Sequence, residues 1–186
     1  GLRVVMPSTV ADARDLLIAS VLCNDPVMYI DDRWLYDQED ELPPVVELNL
    51  TTQRPMVSIT GGDITIVASG HASLLAREAA QQLENENVSV EVVDVRVLNP
   101  FHAEEIIESV KKTKNLLVVD SGWISGGFSA EVIAKVVEQL PVDCLSSPPV
   151  RVALPDAPAP TSRVLEKAYY TSTNDVVEAV KKILKK

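Results

Sequence analysis

One feature limits this chain's choice of fold more than any other. Short β-branched runs alternate repeatedly with segments whose apolar residues recur at helical spacing. A strand–helix–strand crossover returns the chain in parallel, so the pattern predicts an α/β protein with a mainly parallel sheet. Residues 3–6 read as a strand that ends at Pro7. Ser8 or Thr9 then caps a helix in which Val10, Ala13, Leu17 and Val21 keep helical spacing. Asn24 and Asp25 make a turn, and residues 26–30 form a second short strand.

Residues 31–56 break the alternation. They are polar, carry an acidic cluster at Asp37, Glu39, Asp40 and Glu41, and include Pro43-Pro44, which disfavours helix. They read as a connector to a second unit that opens at the Gly61-Gly62-Asp63 turn. Ile64–Ala68 reads as a buried strand and His71–Glu84 as a helix with Leu75, Ala79 and Leu83 on one face. Strands follow at residues 88–95 and 116–120, and helices at 103–112 and 129–140. Val150–Leu154 reads as an edge strand, followed by a proline-rich stretch at 155–160. A last helix over 174–184 ends in Lys181, Lys182, Lys185 and Lys186, cations that complement the helix dipole.

Composition excludes several functions. With 17 basic residues against 27 acidic ones, the net charge of -10 argues against nucleic-acid and anionic-membrane partners. Aromatics are only 4%, so the core must be aliphatic. Two cysteines, Cys23 and Cys144, build no disulfide framework and read as reduced thiols of a cytoplasmic protein. No apolar run approaches the ~20 residues that span a bilayer. The chain starts at Gly1 rather than Met, and its start looks cut.

No catalytic constellation converges. His71 and His102 are the only histidines, and neither has a neighbour at metal-ligand spacing. His71 follows Ser69-Gly70 at a strand-to-helix turn, an edge where ligands often bind, and is retained as an anion or ligand candidate beside its plainer reading as a helix-start residue. P-loop, G-x-G-x-x-G and G-x-S-x-G signatures are missing. Gly126, Gly127 and Phe128, between a strand and a helix, read as a close-packing device with Phe128 buried and the glycines against another element or subunit; a backbone anion cradle is the alternative.

Five separated segments together resemble a known family. They are residues 1–9 (GLRVVMPST) with Ala11-Asp12-Ala13 and Asp25-Pro26-Val27; residues 30–36 (IDDRWLY); residues 63–68 and 90–100 (VEVVDVRVLNP); residues 126–131 (GGFSAE); and residues 154–160 (LPDAPAP). This order is similar to the C-terminal portion of the beta subunit of thiamine-diphosphate-dependent 2-oxoacid (pyruvate-type) dehydrogenases, within the transketolase family. The resemblance implies a three-layer C-terminal domain with a mixed, mostly parallel sheet over residues 57–186. A connector over 44–56 and a remnant of the pyrimidine-binding α/β domain over 1–43 would precede it.

That family's catalytic glutamate lies upstream of the position matching Gly1. Its diphosphate and magnesium are held by a G-D-G…N motif in the alpha subunit, which Gly61-Gly62-Asp63 does not reproduce. Thr161 stands where an aromatic residue is common, which leaves the 2-oxoacid open. The resemblance therefore implies thiamine diphosphate and magnesium in the full complex and neither in this chain alone. It implies as partners the missing N-terminal half, an alpha subunit, a second copy in a homodimer and an acyltransferase core. A truncated first domain would leave Val4, Val5, Val27 and Tyr29 as uncovered apolar surface. A free-standing binding or regulatory module on the same scaffold is the alternative.

Overall fold

The computed structural model describes residues 1–185; Lys186, the last of the expected basic end, lies outside the described residues. The first unit is a strand–helix–strand: β1 (Arg3–Val5), α1 (Val10–Leu22) and β2 (Val27–Tyr29). Thr9 caps α1, its side chain accepting from the Asp12 N–H at 3.1 Å. The strands β1 and β2 pair in parallel, as a crossover helix requires.

The second unit holds β3 (Met56–Ile59), β4 (Ile64–Ala68), α2 (His71–Glu84), β5 (Val90–Asp94), β6 (Val97–Asn99), α3 (Glu104–Thr113) and β7 (Leu116–Trp123), then α4 (Phe128–Val137), β8 (Val150–Leu154), α5 (Arg163–Tyr169) and α6 (Thr173–Leu184). Its main sheet runs β3-β5-β4-β7-β8, parallel throughout except for the edge strand β3. The expected mixed, mostly parallel sheet is what forms. The strand β3 lies partly in the presumed connector, and α5 follows the proline-rich stretch where no helix was read.

Side-chain alternation along β4 produces the three layers. Ile64, Ile66 and Ala68 face α2 and α6, whereas Val67 faces α3 and α4. Thr65, on the α3 side, shares hydrogen bonds of 2.7 Å with the buried hydroxyls of Ser109 and Thr113. Burial of each large aliphatic side chain in these layers contributes about 1.5–3 kcal/mol. Leu75, Ala79 and Leu83 of α2 are buried as their spacing required. Val176, Val177 and Val180 of α6 are likewise buried, behind a capping box made by Ser172 and Asp175.

The expected apolar surface of the first unit needs correction. Val5 is fully buried among Leu16, Ala19, Leu50 and Val97, because β6 pairs antiparallel with β1 and closes a three-stranded sheet, β2-β1-β6. Val4 and Val27 are half-buried, and Tyr29 packs against the same cluster with its hydroxyl donating to the Ala13 carbonyl at 2.8 Å. The exposed apolar surface lies instead on α1. That helix is apolar on more than one face and buries the stripe containing Leu16 and Ala19. Leu17 and Val21, which share the other stripe, are 48% and 77% exposed, and Leu22 beside them is 70% exposed.

Candidate functional site

The strand order places a reversal between β4 and β7. From β4 the chain crosses through α2 to β5 on one side, and from β5 it returns through α3 to β7 on the other. The loops at the carboxyl ends of β4 and β7 diverge there, the position where open α/β sheets hold ligands. A cavity of about 280 Å³ occupies this point. Leu75, Val119 and Leu154 give it an apolar, buried lining.

His71 opens onto this cavity as the first residue of α2. Gly70, the N-cap, has φ +55°, and a Cβ there would press into the Met6 side chain, so the turn requires glycine. The N–H of His71 donates to Asp32 Oδ2 at 3.3 Å, while Asp32 Oδ1 accepts from the Trp34 N–H at 3.1 Å. A carboxylate of the first unit thus already sits at the start of α2, and the anion role considered for His71 has an internal occupant.

Above it the rings converge. Trp34 lies on the 3-10 turn Arg33–Leu35 and stacks on His71 with centroids 5.7 Å apart and planes at 27°. Tyr170 meets Trp34 at 6.0 Å and Tyr169 at 5.1 Å, both edge to face. Tyr169 in turn accepts at its hydroxyl from Trp123 Nε1 at 3.1 Å. Both tryptophans and two of the four tyrosines of an aromatic-poor chain lie in one run along the carboxyl edge. Trp34 stands in the 30–36 segment that carries the resemblance, but nothing in the sequence pairs it with Tyr170, 136 positions away.

The glycine turn before α4 is organised by Asp120. Its Oδ2 accepts from the Ser129 N–H at 2.7 Å and its Oδ1 from the Gly122 N–H at 2.9 Å, so this helix start also carries its own carboxylate. A Cβ on Gly127 would collide with the Trp123 carbonyl, and its φ is an ordinary −73°. Gly127 is therefore packed against the end of β7, at the Trp123 carbonyl and Asp120. Gly126 has φ +69° and open space around its Cβ position. Phe128 is half-buried, not buried, and meets Phe101 edge to face at 5.2 Å.

A polar seam joins the two units. Asp94, at the end of β5, is fully buried; it accepts a hydrogen bond from the Ser8 hydroxyl and lies 3.8 Å from the Arg77 guanidinium. Burial pushes its pKa up to about 6, with Asp12 adding to the rise and Ser8 and Arg77 opposing it. Arg77 Nη2 also donates to the Ser8 carbonyl at 3.2 Å. Ser8 was read only as a helix-cap candidate, and Asp12, Asp94 and Arg96 only as members of segments that carry the resemblance; their meeting in one seam was not. The available signal was a carboxylate inside the otherwise aliphatic 90–95 strand, which must be partnered if buried.

The residues at the cavity between β4 and β7 do not fit thiamine diphosphate. Among the described residues no group of three His, Cys, Asp or Glu side chains could hold a metal ion. No Lys or Arg is among the described residues lining the cavity, and the helix starts at His71 and Ser129 both face carboxylates. No helix among the described residues is long and apolar enough to cross a membrane.

Residues 56–176 match the family profile "Transketolase, C-terminal domain". The chain is 36% identical over 183 residues to pyruvate dehydrogenase E1 component subunit beta of Rhizobium meliloti, covering 98% of this chain and 40% of that protein. It is 34% identical over 184 residues to the Bacillus subtilis subunit of the same name, covering 99% of this chain and 56% of that one. A solved "split gene transketolase, inactive beta4 tetramer" superposes with TM-score 0.78 and 28% identity, over 99% of this chain and 58% of that chain. The chain spans about half the length of the curated relatives it matches. Some relatives are mitochondrial proteins. The chain belongs to the transketolase C-terminal domain family, and along nearly all its length it is a relative of the beta subunit of pyruvate dehydrogenase E1.

Proposed function

We propose that this chain supplies the C-terminal portion of a thiamine-diphosphate-dependent 2-oxoacid dehydrogenase beta subunit, residues 57–186 forming the C-terminal domain and residues 1–43 part of the pyrimidine-binding domain. Its role is subunit assembly and shaping of a site whose cofactor, thiamine diphosphate with magnesium, is held elsewhere in the complex. The observation that carries this reading is the similarity to pyruvate dehydrogenase beta subunits over 98% of the chain. The outward apolar residues of α1, Leu17, Val21 and Leu22, support assembly with further polypeptide, either the N-terminal half of such a subunit or a second copy. An alpha subunit and an acyltransferase core complete the proposed partners, in a reducing compartment such as the cytoplasm, consistent with free Cys23 and Cys144.

Calorimetric titration of the chain with thiamine diphosphate and magnesium tests the reading. No binding in the micromolar range is expected, and decarboxylation of a 2-oxoacid is expected only after mixing with an N-terminal half and an alpha subunit. Micromolar cofactor binding by the chain alone overturns it. The relative solved as an inactive beta4 tetramer makes an inactive isolated chain reasonable.

A further inference from the structure

We propose that the cavity between β4 and β7 is a binding site for a small organic cation, a quaternary or alkylated ammonium of choline size. Three observations converge on that chemistry. Three rings line the cavity, those of Trp34, His71 and Tyr170, and aromatic faces attract ammonium groups through their quadrupoles. Asp32 and Asp120 are both among its lining residues, the Asp120 carboxylate itself turned toward the start of α4, while no Lys or Arg is among its described lining residues. Its deeper surface is aliphatic, from Leu75, Val119 and Leu154, which suits methyl groups on nitrogen rather than a strongly hydrated primary amine.

The same features exclude the anion that a switch-point cavity usually holds. Phosphate sites at such edges use free backbone N–H groups at a helix start. At α2 the His71 N–H already donates to Asp32, and at α4 the Ser129 N–H already donates to Asp120. Each of these helix starts thus already carries a carboxylate, which disfavours a second anion there. A chain of net charge -10 reinforces that effect at long range. The cavity volume of about 280 Å³ accommodates a ligand of this size. The site draws Asp32 and Trp34 from the first unit and His71 and Tyr170 from the second, so an occupant would touch both.

Calorimetric titration of the chain with choline, with the uncharged isostere 3,3-dimethylbutan-1-ol and with inorganic phosphate tests the proposal. Choline is expected to bind saturably with a dissociation constant on the order of 1 mM or tighter, and the isostere at least about tenfold more weakly. In a Trp123→Phe background, choline is expected to change the fluorescence of Trp34, which places the event at this cavity. Trp34 is 64% exposed, so Trp34→Ala is expected to fold, and to weaken choline binding at least about tenfold, while Trp34→Phe retains most of it. Equal affinity for the isostere, displacement of choline by phosphate, unchanged binding in Trp34→Ala, or no saturable heat up to about 20 mM choline each overturns the proposal.

Discussion

The guanidinium of Arg96 donates to the carboxylate of Asp12 at 3.0 Å, although 84 positions separate the two residues and both side chains are nearly buried. The pair ties α1 to the segment between β5 and β6. A second guanidinium nitrogen of Arg96 donates to the Arg54 carbonyl at 2.9 Å, so one side chain also fixes the chain entering β3. Arg96 achieves this from a left-handed backbone, φ +55°. A non-glycine residue in that region costs roughly 1–2 kcal/mol.

Removing the guanidinium leaves Asp12 buried without its counter-ion. Arg96→Ala is therefore expected to lower stability by about 3 kcal/mol, read by urea unfolding. Arg96→Gly loses the same pair but relieves the backbone, so it is expected to be less destabilising by about 1 kcal/mol. Equal losses in the two variants would show that the left-handed conformation carries no strain.

Two buried carboxylates give the pH dependence opposite signs. The pKa of Asp94 rises from the ordinary 3.8 to about 6, so its contribution is fully present below 3.8 and is lost as pH rises through 6. Burial also pushes Glu91 up, but Lys112, the Ser109 hydroxyl and the Gly61 N–H outweigh it and hold the group below its ordinary range. Its contribution is present above the ordinary range and lost as pH falls through the lowered value. Asp94→Asn is expected to flatten the stability profile between pH 3.8 and 6, by at most about 1.4 kcal/mol per pH unit, while acid unfolding at lower pH persists. Urea midpoints across that range provide the check.

The two glycines before α4 are expected to respond differently. Gly127→Ala drives a methyl group into the Trp123 carbonyl and toward Asp120 Oδ2, and is expected to cost about 2–3 kcal/mol. Gly126→Ala meets no atom but must hold φ +69°, and is expected to cost about 1 kcal/mol. Thermal melting separates them, and a larger loss at Gly126 would contradict the steric account.

Self-association is expected to depend on α1. Val21→Lys combined with Leu22→Lys places charge on side chains that are 77% and 70% exposed, with little effect on folding. Sedimentation is expected to show association weakened at least about tenfold. Unchanged association in this variant would move the contact to another face.

Much of the architecture was legible in the sequence, because the strands and helices of the second unit other than β3, β6 and α5 show their own period. Ile64, Ile66 and Ala68 alternate with Val67, and Leu75, Ala79 and Leu83 recur at helical spacing, so burial there follows from local geometry. Where one helix carried two apolar stripes, as α1 does, periodicity alone was insufficient. The tertiary structure selected Leu16 and Ala19 over Leu17 and Val21, because β1 and β6 pack on that side. The switch-point edge was half legible: His71 could be placed on it, but its partners Asp32, Trp34 and Tyr170 come from distant segments. The α/β layers follow from the amino-acid pattern alone, because they depend on neighbours a few residues apart. The aromatic lining of the cavity and the seam of Asp12, Arg96 and Asp94 arise only on folding, since they depend on side chains that meet across tens of residues of intervening chain.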